Sequence, residues 1–86
     1  MNRKEALQEI RTNLLAGKRY ARWFDYDVKY PFWDVKLYYN RTKKLWCWSN
    51  YGSSAEKATL KDLEWLITVI FKMSPAEFVK TYTVIG

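Results

Sequence analysis

Apolar and polar residues alternate with a period of two through most of the stretch from Tyr20 to Tyr51. This period is typical of β-strands that bury one face, because successive side chains on a strand point to opposite sides. Pro31 and the polar segment Asn40–Lys43 interrupt the alternation, and residues of both kinds are common in turns. The pattern therefore predicts three antiparallel strands connected by two hairpins.

The alternation also predicts which side chains face the core. The inward positions are Phe24, Tyr26, Val28, Tyr30, Trp33, Val35, Leu37, Tyr39, Trp46 and Trp48. Tight turns at Tyr30–Pro31 and Arg41–Thr42 would place apolar residues opposite one another on this face. The predicted pairs are Val28 with Trp33, Tyr26 with Val35, Phe24 with Leu37, Leu37 with Trp46, and Val35 with Trp48. The alternative is one long edge strand that is kinked at Pro31.

Leucine and isoleucine spacing predicts a helix on each side of these strands. The first runs from Arg3 to Ala16, and Gly17 is expected to end it. Its predicted inward residues are Leu7, Ile10, Leu14 and Leu15. The second runs from Thr59 to Lys72, and its predicted inward residues are Leu63, Leu66, Ile67 and Ile70. Further apolar residues, Trp65, Val69 and Phe71, surround most of this second helix, so a homodimer that covers it is one expectation.

Ser74–Glu77 has the pattern of a capping box with proline at the first helical position, which predicts a third, short helix. Its predicted buried residues are Phe78, Val79 and Tyr82. Residues 81–85 fit either the end of this helix or a short strand, because most of them are β-branched or aromatic. The sequence thus predicts an α+β fold in the order α-β-β-β-α-α. The helices pack on one sheet face, and residues 1–86 form a single compact domain.

The composition excludes several kinds of catalytic and metal site. The 86 residues include no histidine and one cysteine, and the formal net charge is +6. An internal disulfide, histidine acid–base chemistry and most zinc sites are excluded, and a reducing cytoplasm is the expected compartment. The longest apolar run, Trp65 to Phe71, is too short to span a bilayer, so no membrane partner is expected. The positive charge favours an anionic partner.

Few residues suit catalysis. Cys47 alternates with two tryptophans on a predicted strand and has no base beside it, which favours a packing role. Asp25, Asp27 and Asp34 share the predicted outer sheet face, where Asp27 would oppose Asp34 and form a carboxylate pair. Lysines share that face, so a mixed-charge surface is the simpler interpretation. We expect no enzymatic activity, no metal site and no cofactor.

Binding signals are stronger. The candidate binding residues are the cations Arg41, Lys43, Lys44, Lys18, Arg19 and Arg22 and the aromatic residues Trp23, Phe32 and Tyr38 on the predicted outer face. Cations interleaved with exposed rings are typical of nucleic-acid contacts, in which cations neutralise phosphates and rings stack on bases. Structural roles remain open: lysines at a hairpin tip prevent edge aggregation, and cations after Gly17 complement the helix dipole.

The order helix, three strands, helix resembles the topology of double-stranded RNA-binding domains, and its strand–helix part is similar to arm-type DNA-binding domains of phage integrases. The segment Gly52–Ala58 carries small and basic residues where both families have them. The paired lysines that the RNA-binding family carries at this helix start are absent, and only Lys57 and Lys61 occur there. The resemblance implies a nucleic-acid partner, by topology alone.

Two classes of function follow from the sequence. The first is a small non-catalytic module that contacts nucleic acid or a nucleoprotein through the basic hairpin tip and exposed aromatic residues. The second is a protein-binding inhibitor or accessory protein, similar in size and type to phage-encoded inhibitors such as anti-CRISPR proteins. Trp, Tyr and Arg, which are frequent interface anchors, support the second class.

Overall fold

The computed structural model describes residues 1–24, 32–48, 53–54 and 57–86, with no side-chain description for Phe24, Phe32, Trp33, Ser53 or Ser54. The elements, in chain order, are α1 (Arg3–Leu15), β1 (Arg19–Phe24), β2 (Phe32–Asn40), β3 (Leu45–Trp48), β4 (Ser53–Ser54), α2 (Leu60–Trp65), a π-helical turn (Leu66–Ile70), α3 (Pro75–Thr81) and β5 (Thr83–Ile85). The predicted α+β class is confirmed.

The described strands form one sheet in the order β4-β3-β2-β1-β5, and every neighbouring pair is antiparallel. The predicted meander of β1, β2 and β3 lies at its centre. The predicted count of three strands is too low, because a short strand pairs at each edge. β4 pairs with β3 inside the predicted connection, and β5 pairs with β1. The chain after α3 is therefore a strand, which settles the two alternatives for residues 81–85.

The predicted register is wrong in both hairpins. Leu37 lies opposite Trp48, and Tyr39 lies opposite Trp46, because the second turn occupies the four residues 41–44. This shift of two residues leaves the inward face unchanged, since strand side chains repeat every two residues. Leu37 also lies opposite Tyr20, whereas the prediction paired it with Phe24.

The first hairpin departs further from the prediction. A turn centred on Tyr30–Pro31 is incompatible with the observed pairing of Phe24 with Phe32. The register also shifts between Tyr20 and Ala21, whose partners are Leu37 and Val35, so Lys36 of β2 is the extra residue, as at a β-bulge. The predictions for Tyr26, Val28, Tyr30, Asp25 and Asp27 lie outside the described residues.

The core forms where the helices cover one face of the sheet. We call α2 and the π-helical turn, Leu60–Ile70, the second helical segment. The fully or almost fully buried side chains of the core come from every layer: Leu7, Ile10 and Leu14 of α1, Tyr20, Leu37 and Trp46 of the sheet, Leu63, Leu66 and Ile67 of the second helical segment, and Phe78 of α3. The indole nitrogen of Trp46 donates a hydrogen bond to the carbonyl of Thr59 at 2.8 Å. This bond joins β3 to the start of α2.

Helix ends follow the sequence signals closely. The side chain of Asn2 caps α1 by accepting from the amide of Glu5 at 2.8 Å, and Ser74 caps α3 by accepting from the amide of Glu77 at 3.2 Å. Gly17, at φ 90°, follows α1, where the amide of Lys18 donates to the carbonyl of Asn13 in a Schellman arrangement. Leu15, predicted to face inward, is exposed instead, and Ala6 is buried in the core.

The second long helix is not regular. α2 begins after its N-cap Thr59, as predicted, but the amide of Phe71 donates to the carbonyl of Leu66, five residues earlier. This wider turn brings Phe71 towards the core and leaves Ile70, predicted to face inward, 37% exposed. No helix in the described ranges has the length and apolar character needed to cross a membrane.

Candidate nucleic-acid interface

The side chain of Arg41 connects the tip of the β2–β3 hairpin to the end of α1. Its Nη2 donates to the carbonyl of Leu15 at 3.5 Å, across 26 positions of sequence. The same nitrogen lies 3.2 Å from the position that a Cβ on Gly17 would occupy. The guanidinium thus sits at the negative end of the helix dipole, where a cation is favoured.

Gly17 satisfies two requirements of this contact. Its φ of 90° turns the chain out of α1, and its missing side chain leaves room for Arg41. Sequence analysis predicted the first role, but the contact between distant segments left no local signal. Leu15, through its carbonyl oxygen, and Gly17 are therefore site residues that sequence reasoning missed.

The hairpin tip has a defined conformation. The side-chain oxygen of Asn40 accepts a hydrogen bond from the amide of Lys43 at 3.0 Å, as in turns that start with asparagine. Lys44 adopts φ 57°, the left-handed conformation that glycine or asparagine usually takes. Lys43 and Lys44 are both exposed. The turn therefore holds two adjacent lysines at the end of the sheet.

Five of the predicted site residues meet at this end of the molecule. We call them the basic end: Lys18, Arg19, Arg41, Lys43 and Lys44. All five are exposed. No acidic residue stands in the sequence between Glu9 and Asp25, or between Asp34 and Glu56. Carboxylates from the two contributing segments therefore do not offset these charges.

Arg22 does not belong to the basic end. It pairs across the sheet with Asp34, which lies six positions before Asn40 in β2, a distance of about 20 Å. Asp34 also forms an ion pair with Lys36, whose Nζ lies 2.6 Å from Oδ2 of Asp34. The predicted opposition of Asp27 and Asp34 is therefore wrong, because Arg22 holds the position opposite Asp34.

The aromatic candidates Trp23 and Phe32 lie away from the basic end, at the opposite end of the β1–β2 pair. Trp23 lies three positions after the core residue Tyr20 in β1 and is 50% exposed. Phe32 lies opposite Phe24 by its backbone, and its side chain is among those not described.

Tyr38 lies on the outer face but is half-buried. It pairs in register with Cys47, which is 4% exposed. A hydrogen bond with the Cys47 side chain, together with charge on that sulfur and some burial, raises the pKa of Tyr38. This outer face is therefore more closed at Tyr38 and Cys47 than the sequence suggested. Across the described residues no three metal-ligand side chains of the His, Cys, Asp or Glu type cluster together.

Comparison of this chain with protein-family models, with curated proteins and with solved structures finds no match in any of the three.

Proposed function

We propose that this protein is a small non-catalytic binding module that contacts the phosphates of nucleic acid through the basic end. The observation that carries the proposal is the contact of Arg41 with Leu15 and Gly17, which brings the cations of two distant segments to one place. Phosphate contacts by Lys and Arg supply most of the affinity in non-specific nucleic-acid binding.

The five cations have different roles in this proposal. Arg41 is a positioning residue, because its guanidinium contacts the end of α1. The cations that contact phosphate are Lys18, Arg19, Lys43 and Lys44, which are exposed. They come from a helix–strand connection and a hairpin turn, both anchored to the sheet, so their spacing is set before binding.

The number of contacts sets the expected salt dependence. Four phosphate contacts on duplex DNA predict that affinity falls about 100-fold between 50 and 200 mM salt, since each contact contributes a slope of about −0.9. Two contacts predict a fall of only about tenfold over the same range. The slope of affinity against salt concentration therefore measures how many cations contact phosphate.

The test is the double variant Lys43→Glu/Lys44→Glu, which leaves Arg41 in place. Binding to fluorescently labelled duplex DNA, duplex RNA and single-stranded DNA is measured by anisotropy at both salt concentrations. We expect weaker binding and a salt dependence reduced to that of about two contacts.

The matched control is Lys61→Glu/Lys72→Glu, which lowers the net charge by the same four units on two exposed lysines, one in α2 and one just after the π-helical turn. This control should retain most of the affinity. Equal losses in both double variants would show that net charge alone drives binding and would refute the basic end as the site. Circular dichroism checks that both variants fold.

A further inference from the structure

The aromatic ring next to the first cations of the basic end is held in the core. Tyr20, which directly follows Arg19, is fully buried, and its hydroxyl accepts a hydrogen bond from the side chain of Asn13 at 3.0 Å. Its ring also packs against that of Phe78, with ring centroids 5.2 Å apart. A nucleic-acid base therefore has no access to this ring.

The rings of the β2–β3 hairpin are occupied in the same way. Tyr39 packs against the core, with its ring centroid 5.3 Å from that of Trp46. Trp46 is fully buried, and its indole nitrogen donates to the carbonyl of Thr59. Tyr38 is half-buried and forms a hydrogen bond with the side chain of Cys47. These rings serve the packing of the hairpin rather than its surface.

Among the described side chains, two other rings are about half exposed, and neither belongs to the basic end. Trp23 lies four positions after Arg19 in β1, about 13 Å along the strand, and Arg22 stands between them opposite Asp34. Trp65 belongs to α2, in the helical layer. The basic end thus presents cations without a stacking surface.

We propose that the basic end binds duplex rather than single-stranded nucleic acid. This inference rests on the proposed function and names its substrate class. Proteins that bind single strands combine cations along the backbone with rings on which the bases stack. A duplex keeps its bases stacked inside and presents its phosphates, so cations alone can hold it.

The arrangement of the cations also fits a rigid array of phosphates. Lys18 directly follows the end of α1, and Lys43 and Lys44 lie in a turn that the side-chain oxygen of Asn40 holds. Arg41 joins the two segments. Base pairing fixes the phosphates of a duplex before binding, whereas a single strand loses conformational freedom when it binds, which lowers its affinity.

Counterion release sets the size of the preference. Each phosphate contact contributes a slope of about −0.9 on duplex DNA and about −0.7 on a single strand, so four contacts give about −3.6 and about −2.8. With equal affinities at about 1 M salt, this difference favours duplex DNA about tenfold at 50 mM salt and about fourfold at 200 mM salt. Stacking on a ring would instead strengthen single-strand binding at every salt concentration.

The test compares three probes by anisotropy: duplex DNA, duplex RNA of the same sequence, and a single strand of thymidines of the same length. We expect both duplexes to bind more tightly than the single strand. The preference for duplex DNA should be about tenfold at 50 mM salt and should fall as salt rises. The two duplexes present phosphates in different helical forms, so their affinities distinguish DNA from RNA as the source of the duplex.

A ring added to the basic end provides the converse test. Thr42 is exposed in the hairpin turn, between Arg41 and Lys43. Thr42→Trp should raise single-strand affinity at least about fivefold and leave duplex affinity within about twofold, because only unpaired bases can stack on the new ring. Thr42→Leu, which adds an apolar side chain without a ring, is the matched control and should change neither affinity.

Removal of each accessible ring tests the same point. Trp23→Leu, Tyr38→Leu and Trp65→Leu should each leave single-strand affinity within about twofold, since the loss of a stacking ring costs at least about fivefold. A loss of that size in any of the three would overturn the inference and identify the ring as a stacking site. Circular dichroism checks that each variant folds.

Failure of this inference is distinguishable from failure of the proposed function. A single strand that binds as tightly as the duplexes, with an affinity that Lys43→Glu/Lys44→Glu still lowers, would overturn the duplex preference and leave the basic end as the binding site. Binding to none of the three probes, or equal losses in Lys43→Glu/Lys44→Glu and Lys61→Glu/Lys72→Glu, would overturn both.

Discussion

Lys72 offers a test of how the second helical segment ends. It adopts φ 56° directly after the C-cap residue Phe71, and the amide of the next residue, Met73, donates to the carbonyl of Ile67 at 3.2 Å. Side chains other than glycine are strained in this left-handed conformation by about 1–2 kcal/mol. Lys72→Gly removes that strain, but it also gives the unfolded chain about 0.5–1 kcal/mol of additional freedom.

Lys72→Gly should therefore be more stable than Lys72→Ala by about 0.5–1 kcal/mol, or about 4 °C in melting temperature for a chain of this size. The alanine variant is the proper reference, because both variants lose the favourable cation at the helix end but only alanine keeps a Cβ. Thermal and urea unfolding, followed by circular dichroism, give both values.

A glycine variant no more stable than the alanine variant would refute the left-handed conformation of Lys72. The same pair of substitutions at Lys44, where φ is 57°, is an independent repeat in a hairpin turn. There the helix dipole contributes nothing, so Lys44→Ala should leave stability almost unchanged.

Two further predictions concern the core. Burial raises the pKa of Tyr20, a hydrogen bond donated by Asn13 lowers it, and the charge of Glu9 raises it, with a net rise. Because the folded state holds the proton more tightly than the unfolded state, stability is full below about pH 10 and falls as pH rises through the raised pKa. Tyr20→Phe should cost about 1 kcal/mol at pH 7 and lose less stability than the wild type above pH 10, measured by urea unfolding at both pH values; a constant difference would contradict it. Trp46→Phe should cost about 2–3 kcal/mol, through a cavity and the lost bond to Thr59, whereas Trp65→Phe should change the free energy of unfolding by less than about 0.5 kcal/mol; equal effects would contradict the assigned burial.

The sequence predicted which sheet face a side chain points to better than it predicted the cross-strand partner of each residue. Leu37 and Trp46 face the core as expected, because a strand's burial pattern is local and repeats every two residues. Their partners were wrong by two residues, since turn length depends on conformations such as that of Lys44, which residue type does not reveal. The register shift between Tyr20 and Ala21 is a further limit, because the regular alternation of residues 33–39 does not reveal it.

The candidate site was predictable in its parts and not in its assembly. Charge clusters near Lys18 and Lys43 were visible in the sequence, and Gly17 was recognised as a helix end. The contact of Arg41 with Leu15 joins the clusters, and it depends on tertiary structure alone. Arg22, by contrast, is adjacent in sequence and yet lies opposite Asp34.

The wide turn at Leu66–Ile70 adds a residue on the exposed side of the helix without moving the buried side chains on its other side. An ordinary helix would reach the interior again four residues after Leu66, whereas here Phe71 arrives after five, so one residue is in effect inserted on the solvent side. Deleting Thr68 would allow Phe71 to keep its place in a regular helix. The exposed side of the helix, which carries Trp65 and Val69, would become one residue shorter. A change in chain length within this helix would thus alter its exposed side and leave its packing almost intact.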